Sequence, residues 1–151
     1  MSTESRANSD DLHATVTHRL RHDDQRYTPQ RRALVEVLAA SDAPLTLPQL
    51  LERSQGLAQS SAYRNLAVLE RAGVVHRIVT TVDHARWELA EDLTEHHHHL
   101  ICRDCGTVAD FIVPNEIERR LDSALADAAL VAGFDATHHR LDLVGLCADC
   151  R

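Results

Sequence analysis

No lysine occurs in this chain, whose 16 basic residues are all arginine. Aromatic side chains are scarce as well: one Trp, two Tyr and two Phe. So few leave little material for an apolar small-molecule pocket. No apolar run approaches the roughly 20 residues that a bilayer-spanning helix needs, which excludes such a span. Residues 1–11 are polar and contain no apolar h-region, so nothing there reads as a secretory signal. Also missing are a nucleophile elbow, a phosphate loop and a His-Glu-x-x-His pattern. These absences lead to the expectation of a cytoplasmic protein with no membrane attachment, no small-molecule substrate and no enzymatic activity. In a reducing compartment its four cysteines serve more readily as metal ligands than as disulfides.

The net charge of −7 is an unpromising balance for contact with nucleic acid until the halves are separated. Residues 1–90 carry 11 Arg against 11 acids, whereas residues 91–151 carry 5 against 12. Between Arg26 and Thr80 the count is 7 Arg to 4 acids, so a locally basic surface is available. Arginine keeps its charge and forks onto phosphate or guanine, although nucleotide bias in the genome explains its monopoly equally well. Composition permits nucleic-acid binding without demanding it.

Along the chain, residues 1–10 read as a disordered tail. Leu12, Val16, Arg19 and Leu20 recur at helical spacing and predict a helix over 11–22. Thr28-Pro29 is a helix start, with Thr as N-cap and Pro at the first position. Leu34, Val35, Leu38 and Ala39 then share one face. Thr46-Leu47-Pro48 opens a third helix reaching Arg53, with Leu47, Leu50 and Leu51 inward. A fourth begins at Ser60 or Ser61 and runs to Ala72, its buried stripe being Ala62, Leu66 and Leu69. Ser61, Tyr63, Arg64 and Arg71 fall off that stripe. Two β-type runs come next, 74–79 and 85–89, around a polar turn at 81–84. Helices followed by a hairpin are the winged-helix layout, the third and fourth helices forming a helix-turn-helix and the hairpin the wing. The expected domain spans 11–90, and 91–95 is an acidic hinge. Residues 96–151 form a smaller α/β domain, with strands at 97–102 and 108–113, a helix at 115–131 and a last strand from Phe134 to Val144.

The most specific signal is Cys102-x-x-Cys105 with Cys147-x-x-Cys150. Two such knuckles supply the four thiolates of a closed tetrahedral zinc site, which has no open position for water and is therefore structural. Two disulfides or an iron–sulfur centre are the alternatives. The second signal is His96–His99, directly before the first knuckle. Side chains alternate along a strand, so His97 and His99 face one way and His96 and His98 the other, and one strand can serve two metal sites. A solvated polar strand is the plainer alternative. Imidazoles suit zinc, iron and nickel, and a carboxylate partner widens the choice. Scattered candidates for further ligands are His76, Glu88, Asp110, Glu116, Glu118, His138 and His139. Taken singly, each reads more readily as a surface residue.

Five segments together resemble the ferric uptake regulator family, most closely its zinc-uptake-regulator branch. They are Tyr27-Thr28-Pro29-Gln30-Arg31, Ala62-Tyr63-Arg64-Asn65-Leu66, Trp87-Glu88-Leu89, His96–His99 with the first knuckle, and Cys147-Ala148-Asp149-Cys150. Order and spacing match from about residue 20 to the C-terminus. The resemblance implies a homodimeric repressor that binds double-stranded operator DNA when a corepressor metal sits between its domains. By position, the regulatory ligands are Glu88, His97 and His99, with His76 where zinc-sensing relatives place a carboxylate. A second site takes His96, His98, His139 and Glu118, with Glu116 the competing carboxylate and Asp110 a weaker candidate. On DNA, the resemblance puts Tyr63 against thymine methyls, Arg64 on the backbone or bases beside Ser61, and Arg26 in the minor groove.

Three departures bear on the metal. Pro44 stands where iron and peroxide sensors carry a histidine ligand. Ala90 stands where many zinc sensors have cysteine, and Glu88 replaces the aspartate of peroxide sensors. The usual Thr-Val before the Tyr-Arg pair is here Ser61-Ala62. The balance favours zinc over iron as the sensed metal, in a repressor of metal uptake or homeostasis genes. An iron-responsive regulator of the same family and a zinc storage or delivery protein without DNA binding are the alternatives. A metallohydrolase would need an open metal position and a pocket, which the sequence does not supply.

Overall fold

Thr28 and Thr46 show how local chemistry starts the helices of this protein. In the computed structural model, which describes residues 3–80 and 84–151, with side chains from Ser9 onward, helix α2 (Pro29–Ala39) begins where Thr28 accepts the backbone N–H of Arg31. Helix α3 (Leu47–Arg53) begins with a full capping box, Thr46 and Gln49 each accepting the other's backbone N–H. Helix α4 (Gln59–Arg71) buries Ala62, Leu66 and Leu69, the stripe that periodicity predicts. It stops at Gly73, whose φ of +69° is left-handed and suits glycine. Helix α1 (Thr3–His22) precedes all three. It starts at Thr3, not at residue 11, so the expected disordered tail is helical over most of its length. Once the Leu12–Leu20 segment has nucleated a helix, each further turn adds hydrogen bonds without a second nucleation cost.

These helices enclose a core of Val16, Leu20, Leu34, Val35, Leu38, Leu50, Leu66 and Leu69, closed on one side by a three-stranded sheet. Strand β1 (Leu45–Thr46) was not foreseen. It pairs antiparallel with β3 (Arg86–Leu89), which pairs in turn with β2 (Val75–Ile78), giving the order β1-β3-β2. The β2–β3 hairpin is the wing. Of the turn expected at 81–84, residues 81–83 lie outside the described part. A 3-10 turn, Glu91–Leu93, comes after β3. It is tied back to the helices: Ala90 N–H donates to the Val74 carbonyl at 2.9 Å, Leu93 packs against the core, and Arg19 binds Asp92.

The chain divides into two compact units, Met1–Glu95 and His96–Arg151. The second holds β4 (His98–Cys102), β5 (Val108–Phe111), helix α5 (Asn115–Val131) and β6 (Asp142–Gly145). Its sheet runs β5-β4-β6, with β4 antiparallel to β5 and parallel to β6. The last strand is shorter than expected. Residues 134–141 are irregular and the ladder with β4 starts at Asp142, so His138 and His139 do not lie on it. Helix α5 has the predicted bounds, yet Ile117 and Leu125 on its apolar face remain 54% and 41% exposed. Periodicity identified the face but not its cover.

Candidate metal centres and candidate nucleic-acid interface

Parallel pairing of β4 with β6 puts the C-terminal ends of both strands side by side, Cys102 opposite Gly145. Each strand then runs into a Cys-x-x-Cys turn, so both knuckles leave the sheet at the same end. Gly106, at φ +72°, lets the first knuckle turn back into β5. Cys102, Cys105, Cys147 and Cys150 are unbridged, and their sulfurs lie within 4.8 Å of one another. The Cys105–Cys147 separation is 3.7 Å. A tetrahedral zinc with sulfurs about 2.3 Å from the metal puts them about 3.8 Å apart, whereas a disulfide needs about 2.0 Å. The residues fit one closed zinc ion. The Cys102 thiol is pulled down to about 6, first by the backbone N–H of Cys105 and then by that of Cys147, which approaches at 3.4 Å. Cys105 is lowered as well, chiefly by the Thr107 hydroxyl 3.2 Å away. Cys150 is raised, mainly through its contact with Cys147. A knuckle that offers N–H groups to sulfur favours the thiolate that a metal requires.

Strand β4 begins at His98 and not at 97 as expected, so His96 and His97 precede it, yet the four histidines keep the alternation of a strand. On one face His96 and His98 meet His139 and Glu118, with one ligand atom from each within 4.8 Å of the others. Glu118 stands at the centre. Its Oε1 lies 2.9 Å from His96 Nε2 and 3.0 Å from His139 Nε2, and its Oε2 lies 2.9 Å from His98 Nε2. The Glu118 carboxyl is held below its ordinary range, first by the hydrogen bond to His98. His98 is buried, and its Nδ1 has no hydrogen-bond partner among the described residues. Three convergent imidazoles and one carboxylate fit a divalent ion. Glu116, two positions earlier on the helix, is exposed and outside the cluster, as is His138.

On the opposite face His97 and His99 stand with ring centroids 5.2 Å apart. Asp110, directly across from His99 in β5, reaches both: Oδ2 is 3.9 Å from His97 Nε2 and Oδ1 is 3.8 Å from His99 Nε2. Those distances are too long for hydrogen bonds and suit donors around a common ion. On the other neighbouring strand Asp142, opposite His99 in β6, approaches His99 Nδ1 at 3.2 Å. The remaining two expected ligands belong to the first unit, where His76 and Glu88 face each other across the wing as partners in the β2–β3 pair.

In the first unit α4 presents Tyr63, 50% exposed, and Arg64, also exposed, with Ser61 half-buried beside them. The Tyr63 ring stands edge-on to the buried Trp87 of the wing, 6.1 Å between centroids. Arg26 is exposed at the arm before α2. Sequence reasoning missed what supports this surface. Arg31 bonds the Gln25 side chain at 3.2 Å and the Arg26 carbonyl, while its Nε donates to Asn65 of α4 at 3.1 Å. It thereby fastens the segment before α2 to α4. Arg31 and Asn65 both stand in the segments that carry the family resemblance, and that was the available signal.

A winged-helix unit with an exposed Tyr-Arg pair, followed by a unit with a thiolate site and two imidazole-carboxylate clusters, defines a metal-responsive DNA-binding protein. The chain belongs to the ferric uptake regulator family, whose sequence model matches residues 22–144. It is 31% identical to the peroxide-responsive repressor PerR of Staphylococcus saprophyticus over 100% of this chain and 99% of that protein. It is 33% identical to the peroxide operon regulator of Bacillus subtilis over 83% of each. Among solved structures, the Helicobacter pylori ferric uptake regulator superposes with a TM-score of 0.70 at 24% identity, covering 93% of this chain and 92% of that one. The protein is accordingly a metal-dependent transcription regulator and not an enzyme.

Proposed function

We propose that this protein is a zinc-responsive repressor of metal uptake or homeostasis genes, working in the cytoplasm as a homodimer on operator DNA. The observation that carries the reading is the two-faced histidine run at the start of β4. His96 and His98 join Glu118 and His139 on one side, and His97 and His99 join Asp110 on the other. The strand comes directly after the winged-helix unit in the chain. The family resemblance adds Glu88 and His76 as the regulatory ligands from the wing. A bound ion there would supply a multidentate link across residues 94–95, favouring the arrangement of domains that fits DNA. Moving such an equilibrium from mostly open to mostly closed takes about 5.5 kcal/mol of preferential binding. The four-cysteine site does separate work, tying the chain end to the sheet.

Homodimerisation is supported by exposed apolar surface. Leu100 and Leu143, paired across β4 and β6, and Val144 are 43%, 51% and 62% exposed, and α5 adds Ile117 and Leu125. Edge strand β6 has no second partner among the described residues. A second copy would cover both.

A second reading, peroxide sensing, is favoured by the names of the two curated relatives. Against it stands Pro44, buried where those sensors carry a histidine ligand and unable to supply one. Glu88 in place of aspartate weighs the same way. Operator binding titrated with Zn(II), Fe(II), Mn(II) and Ni(II) in metal buffers separates the two. Zinc should switch on specific binding, and His97→Ala should lose that response while remaining a folded dimer. Activation by Fe(II) that peroxide then abolishes would establish the second reading. A His97→Ala protein that still responds to zinc would refute the ligand assignment.

A further inference from the structure

His139 reaches the second cluster from an irregular segment, residues 134–141, so no strand pairing fixes the direction of its ring. Side-chain contacts must do so. Nε2 faces Glu118 Oε1 at 3.0 Å, and on the other side of the ring Nδ1 faces Asp122 Oδ1 at 3.0 Å. Glu118 and Asp122 lie one turn apart on α5, at i and i+4, and therefore on one face of the helix. The two carboxylates flank the imidazole at ion-pair distance, and Nε2 is buried with no hydrogen-bond partner among the described residues, as a nitrogen kept for a metal would be. Asp122 is outside the ligand cluster itself, which contains His96, His98, Glu118 and His139.

We propose that Asp122 is a positioning residue for the second metal site: its carboxylate accepts the Nδ1–H of His139, so that Nε2 is the nitrogen presented to the metal. The inference rests on the reading of this cluster as a metal site. A carboxylate bonded to the far nitrogen of a ligating histidine fixes its tautomer and orientation and raises its basicity, and losing such a partner typically weakens metal binding about 10–100-fold. As an ordinary surface ion pair Asp122 would do almost nothing, since its side chain is 59% exposed and exposed pairs contribute little. The two roles therefore predict different results from one substitution.

The test uses the full chain with zinc retained in its cysteine site and His97→Ala as background, so that added Co(II) reports on the second site. Co(II) affinity is measured by chelator competition, and the visible spectrum is recorded at saturation. Asp122→Ala should bind Co(II) about 10–100-fold more weakly, with an unchanged saturated spectrum and an unchanged unfolding midpoint. Asp122→Asn, which keeps an accepting oxygen but no charge, should fall between Asp122→Ala and the background protein. Equal affinity in all three proteins overturns the proposal. A saturated spectrum altered by Asp122→Ala also overturns it, because Asp122 would then be a ligand. If His139→Ala leaves Co(II) binding intact, the cluster is not a metal site at all, a failure distinguishable from that of Asp122 alone.

Discussion

His13 on α1 is buried, with Nδ1 2.7 Å from the Tyr27 hydroxyl and Nε2 3.6 Å from Glu36. Burial holds its pKa below the ordinary 6.5, with Arg32 adding to the effect and Glu36 and Asp10 opposing it. Burial also pushes the Tyr27 hydroxyl up to about 12. At neutral pH both groups are uncharged, and the contact anchors the chain beside Arg26. Because the folded-state pKa of His13 lies below that of the unfolded chain, the unfolded chain takes the proton first as pH falls past 6.5. Stability is therefore lost progressively below 6.5 until the folded-state value is reached. His13→Gln should flatten that part of the profile, which urea midpoints measured above and below pH 6.5 will show in comparison with the unsubstituted protein. At this same scale Glu118 differs from Glu116 only by two helical positions, yet one stands in the cluster and the other in solvent.

Helix α4 keeps its buried stripe and its exposed Tyr63–Arg64 pair on separate faces, and under the proposed function substitutions should separate packing from operator binding. Leu66, 1% exposed, sits within the core stripe, and Leu66→Ala should cost about 2–5 kcal/mol in denaturant unfolding. Arg64→Ala should leave stability within about 0.5 kcal/mol but weaken operator binding and lower its salt dependence, as anisotropy titrations at several salt concentrations will report. An unchanged salt slope would remove Arg64 from the phosphate contacts. The C-terminal end of the same helix is joined to the 3-10 turn after the wing. Arg19 bonds both the Gly73 carbonyl and the Asp92 carboxylate, so Glu91–Leu93 is fastened to the helices of the first unit.

For the molecule as a whole, the second unit buries little of its own apolar surface. None of the residues of α5 is buried, and Leu143 and Val144 of β6 lie open. Leu143→Glu should leave the single chain's fold and zinc content unchanged, because the side chain is 51% exposed. It should nevertheless shift the protein from dimer to monomer in sedimentation, with loss of operator binding. A dimer that persists would place the homodimer interface elsewhere. The acidic excess of residues 91–151 is shared between the end of the first unit, with Glu91, Asp92 and Glu95, and the second unit, and it leaves the 26–80 segment locally basic in a chain of net negative charge.

How much of this was legible in the sequence depends on the range of the interactions involved. Caps at Thr28 and Thr46, the Ala62–Leu66–Leu69 stripe, the bounds of α5 and the alternation of His96 to His99 were all readable. Each rests on neighbours within a few residues and on a fixed helical or strand period. The Tyr63–Arg64 pair was separable from the core for the same reason. The tertiary structure alone decided the parallel pairing of β4 with β6, which gathers cysteines more than forty positions apart. It also decided that His139 comes from an irregular segment, that Glu118 is the central carboxylate, and that Asp122 and Asp142 stand behind the imidazoles. No local period encodes those meetings. They depend on strand register and on where a helix lands against a sheet, and these are settled only when the whole unit packs.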